Sequence, residues 1–351
     1  MGLAVRDDWE VERALPRASF DPLAIDLFLG PEVSFFSEIY SVLQHMRLKV
    51  RAPATSANLG PGFDVFGLAL MEPYDVVEAE RIPDKRVEIE VLEGYHVPAR
   101  PEENTGGYVV LGMMEEFGFS EGVRLRVWKG IKPGSGLGSS AATAAAAAYL
   151  VNKLFGLRLS REELVKYAAL GELVSAGVPH LDNVAPAIYG GFTIVSQEPR
   201  LRIYHVDPPP DLGVVVVLPD VEKGSTRRAR EVVPKEVSLT SLVRNVASAS
   251  ILVAGMALKN INMVKEGMND VIVEPARARA GIIPEYEGVK RLGEELGAGI
   301  AVSGAGPAVI CVIEKERRKL AADALERFYI SRGYKVQVYI TEPGPGVTEI
   351  E

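Results

Sequence analysis

From residue 46 onward, apolar residues recur with two spacings, one typical of β-strands and one of α-helices. Val123, Leu125 and Val127 alternate with polar residues, which predicts a strand. The alanine run at 144–148 predicts a helix, because alanine favours the helix more than any other residue. The unbroken apolar run at 213–218 predicts a buried strand. The strand-like alternation recurs in three further segments, 47–52, 76–79 and 87–92.

A loop rich in glycine and serine, residues 133–142, joins the strand around Leu125 to the alanine helix. Glycines allow the backbone to approach a ligand closely and to adopt positive φ angles. The free N–H groups of the first helical turn, together with the helix dipole, attract an anion. Ser139 and Ser140 add hydroxyl groups that can contact phosphate or Mg²⁺. The loop therefore predicts a phosphate-binding site at the start of this helix, and we call residues 133–142 the phosphate loop.

Three further stretches place polar residues at predicted loops or helix ends. Residues 52–64 are rich in Pro, Ser, Asn and Gly, which predicts a loop after the first strand. Asn104 precedes a predicted helix and is a candidate capping residue. Ser160 and Glu163 have the spacing of a capping box, and the helix that they begin carries Glu172 in its C-terminal half. Loops on a rigid scaffold commonly carry function, so these side chains are candidates for a site.

The length and composition are those of a globular enzyme with two domains. The chain has 351 residues, of which 47% are hydrophobic and 25% charged. The proline-rich segment 207–210 predicts the boundary between a first domain at 46–206 and a second at 207–351. Prolines interrupt short apolar pieces in residues 1–45. We interpret these residues as an N-terminal extension, either disordered or an upstream mis-start, with a folded subdomain as the alternative.

Charge and apolar content argue against several partners. The net charge of −8 at pH 7 argues against nucleic acid as the main partner. The sequence has no unbroken apolar run of about 18 residues, so no membrane span is expected. The first residues include Asp7, Asp8 and Glu10 and no apolar core, so we expect a cytoplasmic protein without a signal peptide. Cys311 is the only cysteine, which excludes an intrachain disulfide.

Three of these stretches resemble the motifs of the GHMP small-molecule kinases. Residues 133–142 resemble the second motif, which ends in G-L-G-S-S-A-A. They lack the lysine of a Walker loop and the G-x-G-x-x-G spacing of a dinucleotide-binding loop. Residues 52–64 resemble the first motif in its homoserine kinase form, which keeps N-L-G-P-G-F-D, and residues 303–307 resemble the third motif. By these motifs the chain is identified as a member of the GHMP family.

Three shorter tracts are similar to the homoserine kinase branch of that family. Residues 175–186 resemble its tract S-G-x-P-H-x-D-N-V-x-P, with Ala176 at a position where glycine is usual. Residues 225–230 match S-T-x-x-A-R, and residues 270–277 match D-x-I-x-E-P-x-R. These tracts favour homoserine kinase over the other branches.

The resemblance carries implications for the fold and the reaction. It implies an α+β, two-domain GHMP kinase fold, in which the N-terminal domain is like domain 2 of ribosomal protein S5 and the C-terminal domain is ferredoxin-like. It implies ATP-dependent phosphorylation of the γ-hydroxyl of L-homoserine, a step of threonine biosynthesis, with ATP and Mg²⁺ as cofactors. It also implies a cytoplasmic homodimer.

The resemblance also implies which residues bind ATP and the metal. Asn104 is expected near the adenine. Ser140 and Glu172 are expected to hold Mg²⁺, one through a hydroxyl and one through a carboxylate. The loop residues expected to bind ATP are Pro133, Gly134, Ser135, Gly136, Leu137, Gly138, Ser139, Ser140, Ala141 and Ala142.

The acceptor site is implied in the same way. Asn58 and Asp64 are expected at the substrate amine. Arg230 and Arg277 are expected at the carboxylate, because the guanidinium fork binds a carboxylate with two hydrogen bonds. The implied substrate-binding residues are Asn58, Asp64, His180, Asn183, Thr226, Arg230 and Arg277, and the implied catalytic residues are Asn183, Asp182 and Arg230.

Alternatives remain for the function of the chain and for the group that accepts the hydroxyl proton. A GHMP kinase for mevalonate, shikimate or a sugar would act on a substrate without the α-amine, which would leave the set Asn58, Asp64, Arg230 and Arg277 unexplained. A non-catalytic GHMP-fold binding protein would be expected to lose the phosphate loop or Glu172, and the sequence keeps both. For the hydroxyl proton, Asp182 is a candidate base, and direct transfer to the phosphate is the other route.

Overall fold

The computed structural model describes residues 47–221 and 226–351, and the predicted N-terminal extension lies outside the described residues. In the described part the strands are β1 (Arg47–Ala57), β2 (Phe66–Ile82), β3 (Val87–Gly94), β4 (Gly122–Lys129), β5 (Phe192–Ser196), β6 (Arg202–Val206), β7 (Leu212–Pro219), β8 (Gly299–Val302), β9 (Val309–Glu314), β10 (Val336–Thr341) and β11 (Thr348–Ile350). The helices are α1 (Thr105–Phe117), α2 (Ser139–Leu154), α3 (Arg161–Ala176), α4 (Leu181–Tyr189), α5 (Thr226–Glu231), α6 (Leu239–Ala257), α7 (Ile261–Gly267), α8 (Val273–Arg279), α9 (Tyr286–Leu296) and α10 (Arg318–Ile330).

The first sheet has the strand order β11-β1-β2-β4-β3, and β5 and β6 extend it from β2. β2 is long enough to pair with two strands, because residues 66–68 pair with β5 and residues 76–82 pair with β4. β3 and β4 are parallel, and α1 is the crossover between them. α2 packs against β1 and β2 between α1 and α3. Its buried alanines allow this close packing because their side chains are small.

The second sheet is antiparallel with the order β10-β7-β9-β8. β7 is buried along its whole length, as the unbroken apolar run predicted. Val215 packs in a cluster with Leu325 of α10, whereas Val214 belongs to the main core cluster, which also contains Ala142 of α2. Because β7 is covered on both faces, the main core continues from the first sheet into the second.

The chain passes from the first sheet to the second between β6 and β7, where residues 207–210 predicted a boundary. The last strand, β11, does not follow the predicted division into domains at 46–206 and 207–351. β11 pairs with β1, with Lys49 opposite Ile350 and Arg51 opposite Thr348. The predicted second domain, 207–351, therefore returns its final residues to the first sheet. A strand of three residues is too short to show an alternating pattern in the sequence.

The first motif begins as a strand, which corrects the prediction of a loop over the whole of residues 52–64. β1 continues to Ala57, and its register against β2 shifts between Pro53 and Thr55. Proline has no N–H for the sheet and is tolerated at such an irregularity. The N–H of Thr55 donates instead to the carbonyl of Leu137 at 3.1 Å. β1 therefore runs directly to the phosphate loop.

Helix α6 departs from the expectation that the chain has no segment of membrane-spanning character. Its mean hydropathy is 1.4 over 18 residues, so by length and composition alone it could cross a membrane. A search for unbroken apolar runs misses it because Thr240, Ser241 and Arg244 interrupt the run. One such helix is weak evidence for a membrane span, and 22% of its 18-residue window is buried. Leu252 and Met256, in its C-terminal part, are buried in the core.

Candidate active site

Loops that are distant in the sequence are hydrogen-bonded to one another at the start of α2. The hydroxyl of Ser303 donates to the carbonyl of Gly136 at 2.8 Å. The N–H of Ala308 donates to the carbonyl of Ser135 at 3.2 Å. Together with the bond from Thr55, these contacts join the first and third motifs to the second. The three motifs therefore form a single framework.

Gly138 is the residue where this framework leaves least space. It is the N-cap of α2 with φ of 61°, and no side chain caps the helix there. A Cβ at this position would lie 1.9 Å from Oγ1 of Thr55 and 2.9 Å from Oδ1 of Asn183. Glycine is therefore required both by the backbone conformation and by the space. The first-turn N–H groups of α2 have no capping side chain, which leaves them for an anion.

The two loop serines have different surroundings. The hydroxyl of Ser139 donates to the carbonyl of Ile131 at 2.9 Å, so it is engaged within the fold. The carbonyl of Ser140 accepts a hydrogen bond from Oγ1 of Thr105 at 3.3 Å, and this bond leaves the Ser140 hydroxyl for other contacts. Both residues line a cavity. Of the two predicted hydroxyls, Ser140 is therefore the one available to a ligand.

The cavity at the start of α2 has a volume of about 450 Å³, within the range of small-molecule sites. The predicted residues that line it are Asn58, Asp64, Asn104, Pro133, Gly134, Gly136, Gly138, Ser139, Ser140, Glu172, His180, Asp182, Asn183, Arg230 and Arg277. Four other predicted loop residues are buried and are not among the lining residues: Ser135, Leu137, Ala141 and Ala142. The side chain of Thr226 lies outside the part of the chain that the structure describes.

Lys129 is a lining residue that the sequence analysis missed. It ends β4 and is almost completely buried. Its Nζ forms an ion pair with Asp75 and donates to the carbonyl of Ser139 at 2.6 Å and to Oγ1 of Thr143 at 2.8 Å. Burial lowers the pKa of Lys129, and Asp75 offsets part of that effect. The only signal in the sequence is a lysine at the last position of the alternating strand β4, shortly before the phosphate loop.

At the other end of the cavity, Asp64 and Arg230 bind each other. The two terminal nitrogens of Arg230 donate to the two carboxylate oxygens of Asp64, each at 2.9 Å. The prediction assigned these residues to opposite ends of a substrate and did not foresee their contact. A bidentate pair of this kind holds both side chains in one orientation.

Arg277 is held differently from Arg230. It is buried, and it donates through Nε to the carbonyl of Ala229 at 3.1 Å and through Nη1 to the carbonyl of Gly304 at 2.8 Å. Burial lowers its pKa, although Asp64 acts in the opposite direction. The ring of Phe63 lies 5.6 Å from the guanidinium of Arg230 and 5.4 Å from that of Arg277. Phe63 lies within the first motif, but the sequence analysis gave it no role.

Glu172, His180 and Asp182 form a group of interacting ionisable side chains. Nδ1 of His180 lies 3.2 Å from Oε2 of Glu172. Burial by itself would lower the pKa of His180, but the hydrogen bond with Glu172 and the charges of Glu172 and Asp182 raise it above its ordinary value. Burial raises the pKa of Asp182 to about 7, and the charge of Asp64 acts in the same direction. Asp182 therefore titrates near neutral pH.

The carboxamides of two predicted binding residues are used within the protein. Nδ2 of Asn58 donates to the carbonyl of Gly304 at 2.9 Å, and its Oδ1 accepts from the N–H of Asp64 at 3.1 Å. Oδ1 of Asn104 accepts from the N–H groups of Gly106 and Gly107 and caps α1. Asn58 thus positions the loop that carries Asp64, and the capping role considered for Asn104 is confirmed.

Asn183, Ser140 and Glu172 bring oxygen-bearing side chains to the part of the cavity lined by the loop 133–142. Oδ1 of Asn183 accepts from Oγ1 of Thr55 at 2.9 Å, which directs its carboxamide toward the phosphate loop. The Ser140 hydroxyl and the Glu172 carboxylate are hard oxygen donors on the same cavity, which fits the few protein ligands that Mg²⁺ usually takes. No group of three or more His, Cys, Asp or Glu side chains within 47–221 and 226–351 could hold a metal ion.

Comparison with known proteins places the chain in one class of enzyme. Residues 106–191 match the GHMP kinases N terminal domain, and residues 252–331 match the GHMP kinases C terminal domain. The chain is 43% identical over 309 residues to a homoserine kinase of Methanococcus maripaludis, covering 87% of this chain and 99% of that protein. It is 44% identical over 303 residues to a homoserine kinase of Halorubrum lacusprofundi, covering 86% of this chain and 99% of that protein.

A solved structure agrees with these relatives. The crystal structure of homoserine kinase from Cytophaga hutchinsonii matches with a TM-score of 0.80 and 33% identity, covering 87% of this chain and 97% of that one. The mixed α+β architecture with two sheets is that of the GHMP kinases, as the motifs predicted. The chain belongs to the homoserine kinase family.

Proposed function

We propose that the chain transfers the γ-phosphoryl group of ATP to the γ-hydroxyl of L-homoserine and forms O-phospho-L-homoserine. One observation carries the proposal. The phosphate loop at the start of α2 lines the same cavity as Asp64, Arg230 and Arg277. Such a cavity can hold a nucleotide at one end and an amino acid at the other, with the reacting groups between them. Its relatives named homoserine kinase support this choice of substrate.

At the ATP end, we infer that backbone groups carry most of the binding. The uncapped N–H groups at the start of α2 face the position expected for the phosphates, where the helix dipole also favours negative charge. Phosphoryl transfer depends mainly on positioning and on neutralising charge. Mg²⁺ held by Ser140 and Glu172 would neutralise phosphate charge there. This metal set is a proposal from the donor types and their shared cavity.

At the acceptor end, we propose that Asp64 binds the substrate ammonium and that Arg230 and Arg277 bind its carboxylate. Arg277 is already fixed by hydrogen bonds to two backbone carbonyls, so its side chain loses little conformational entropy when a ligand binds. The Phe63 ring next to both guanidiniums limits where the carboxylate can lie. The γ-hydroxyl would then extend toward Asn183, whose side chain is held at the phosphate loop by Thr55.

For the hydroxyl proton, we propose that the ionised form of Asp182 is the acceptor. Its carboxyl group lines the cavity, and Oδ1 lies 3.5 Å from Nδ2 of Asn183. A base is most useful when its pKa lies near the working pH, and that of Asp182 is about 7. The alternative is direct transfer of the proton to the phosphate. The pH dependence of kcat/KM in wild type and Asp182→Asn distinguishes the two routes.

The test is a coupled ADP-release assay on the full chain with homoserine, mevalonate, shikimate and galactose. We expect turnover with homoserine to exceed turnover with each of the other three by at least about tenfold. Mevalonate and shikimate have a carboxylate but lose the ammonium contact at Asp64, and galactose loses both charged contacts. ADP release with mevalonate, shikimate or galactose at a comparable rate would support another GHMP kinase. ATP binding without turnover of any compound would support a binding protein.

We also propose that the enzyme is a cytoplasmic homodimer in which α6 supplies the contact. Val237 and four residues of α6 expose aliphatic side chains: Leu239, Leu242, Val243 and Val246. These four recur at helical spacing, and a contiguous apolar face of this kind usually marks an interface. A second copy would cover it with the same face, as two-fold symmetry requires. A membrane span is disfavoured because the buried end of α6 leaves too short a segment for a bilayer.

A further inference from the structure

We propose that the Asp64–Arg230 pair is a latch that selects substrates carrying both an ammonium and a carboxylate. The inference rests on the proposed function and concerns how the same site excludes compounds with one charged end. In the described structure both carboxylate oxygens of Asp64 are occupied by the two terminal nitrogens of Arg230, each at 2.9 Å. A ligand that takes either residue as its main charged partner must therefore compete with the pair and open it.

The cost of opening depends on what the ligand brings. An α-amino acid supplies an ammonium for Asp64 and a carboxylate for Arg230. Each of the two side chains therefore still has an oppositely charged partner after the pair opens. A ligand with only a carboxylate takes Arg230 and leaves Asp64 unpaired. A ligand with only an amine does the reverse. The latch therefore penalises each single-ended compound beyond the contact that the compound itself lacks.

Arg277 shows why the latch involves one arginine and not both. Its guanidinium is anchored by the carbonyls of Ala229 and Gly304, neither of which belongs to the Asp64–Arg230 pair. Arg230 has 40% of its side chain exposed and Asp64 has 34%, so both can turn toward a ligand. Arg277 therefore binds the substrate carboxylate from a fixed position. Arg230 becomes available to the carboxylate when the substrate ammonium binds Asp64.

The latch makes a prediction that independent contacts do not. Removing the charge of Asp64 releases Arg230, so a carboxylate without an amine should bind better to the variant than to the wild type. If Asp64 and Arg230 acted separately, the substitution would help such a ligand only by removing the repulsion between two carboxylates, and it would do so equally in an Arg230→Gln background. Asp64→Asn is the suitable variant, because residue 64 has φ of 60° and asparagine tolerates that conformation better than alanine does.

The experiment measures the Kd of 4-hydroxybutyrate, which lacks the amine, and kcat/KM for homoserine, on wild type and Asp64→Asn. We expect 4-hydroxybutyrate to bind about two- to fivefold more tightly to the variant, the range of couplings measured for partly exposed ion pairs. We expect kcat/KM for homoserine to fall at least about tenfold. An equal or weaker affinity of the variant for 4-hydroxybutyrate, or the same gain in an Arg230→Gln background, would overturn the latch.

The reciprocal variant gives a second, independent measurement. Arg230→Gln releases Asp64, so 3-amino-1-propanol, which lacks the carboxylate, should bind more tightly to it than to the wild type. Unchanged affinity there would also contradict the latch. Melting temperatures of the variants within a few degrees of wild type show that the fold is retained. If wild type fails to phosphorylate homoserine, the proposed function fails, whereas a failed gain of affinity with normal wild-type turnover rejects the latch alone.

Discussion

Lys129 and Asp75 form a buried ion pair at the first turn of α2, and Thr143 contacts both members. The second oxygen of Asp75 accepts the N–H of Ile131 at 3.0 Å. The pair therefore joins β2, the end of β4 and α2, whose N-terminus is the proposed phosphate site. A buried charge that loses its partner is strongly destabilising, whereas removing both charges together costs less.

Lys129→Met should lower the free energy of unfolding by about 3–5 kcal/mol, because Asp75 remains charged and buried. The double variant Lys129→Met, Asp75→Asn should regain a substantial part of that loss. Urea unfolding of both proteins measures the difference. Lys153→Met is the control, because Lys153 is an exposed lysine paired with Glu349 and should cost less than about 1 kcal/mol. Equal losses in Lys129→Met and the control would show that the buried pair has no structural role.

Gly138→Ala should reduce ATP turnover by orders of magnitude, since the added Cβ collides with Thr55 and displaces the start of α2. Gly156→Ala is a matched control beyond the other end of the same helix. Gly156 also has φ of 61°, but a Cβ there meets nothing within 4 Å. Both variants carry the same backbone strain, so the difference in kcat/KM between them isolates the collision. If the two variants are equally active, the loop does not need glycine for space.

The pH dependence of kcat/KM for homoserine should report the titration of Asp182. Because its pKa is about 7 and the proposed acceptor is the ionised form, kcat/KM should rise as pH increases through 7 and then level off. Asp182→Asn should abolish that rise and lower kcat by about 10²–10⁴-fold. A loss below about tenfold would favour direct transfer of the proton to the phosphate. A rise that persists in the variant would assign the titration to another group.

Glu274 should make stability fall with rising pH. Burial raises its pKa from 4.5 to about 7, while Tyr286 and the N–H of Val302 donate to its two oxygens. The folded protein thus binds the proton more tightly than the unfolded chain does. This contribution to stability is complete below pH 4.5 and is lost as pH rises through 7, at about 1.4 kcal/mol for each unit of pKa shift. Urea unfolding of wild type and Glu274→Gln at pH 5 and pH 8 tests the sign. The prediction is wrong if the difference between the two proteins does not change with pH.

Val243→Glu should weaken the proposed homodimer, because it places a charge in the centre of the exposed face of α6. Light scattering coupled to size exclusion, over a range of concentrations, measures the mass. Leu320→Glu is the control, since Leu320 is an exposed leucine of α10 and lies outside that face. We expect a dimer in wild type and the control and a monomer in Val243→Glu. A monomeric wild type would reject the dimer, and a dimeric Val243→Glu would place the contact elsewhere.

The phosphate loop could be predicted from the sequence because its determinants are local. An alternating strand, positive-φ glycines and an alanine helix follow one another within about thirty residues, and each has its own signal. Residues 52–64 were predicted as a loop, and the part of them that is strand was missed, since the shift of register at Pro53 depends on β2. That partner is not visible in the local pattern.

The contacts between distant residues could not be predicted in this way. Asp64 and Arg230 are 166 positions apart, and each was assigned to a ligand because residue type indicates charge and not the partner. Asn58 was assigned to the substrate for the same reason, although its carboxamide is bonded to Gly304 and Asp64. Lys129 was missed because its burial depends on Asp75, which lies in another strand. The assignments of individual residues to substrate, metal and proton stay predictions.

The pairing of β11 with β1 affects how the chain folds while it is being made. The ribosome releases β1, β2 and the glycine loop long before residues 348–350 emerge. Until then β1 is an open edge whose unpaired N–H and C=O groups can accept a strand from another molecule. The first sheet therefore cannot be completed before the C-terminal residues have been made. A nascent or prematurely terminated chain that lacks β11 is accordingly the form most exposed to aggregation and proteolysis.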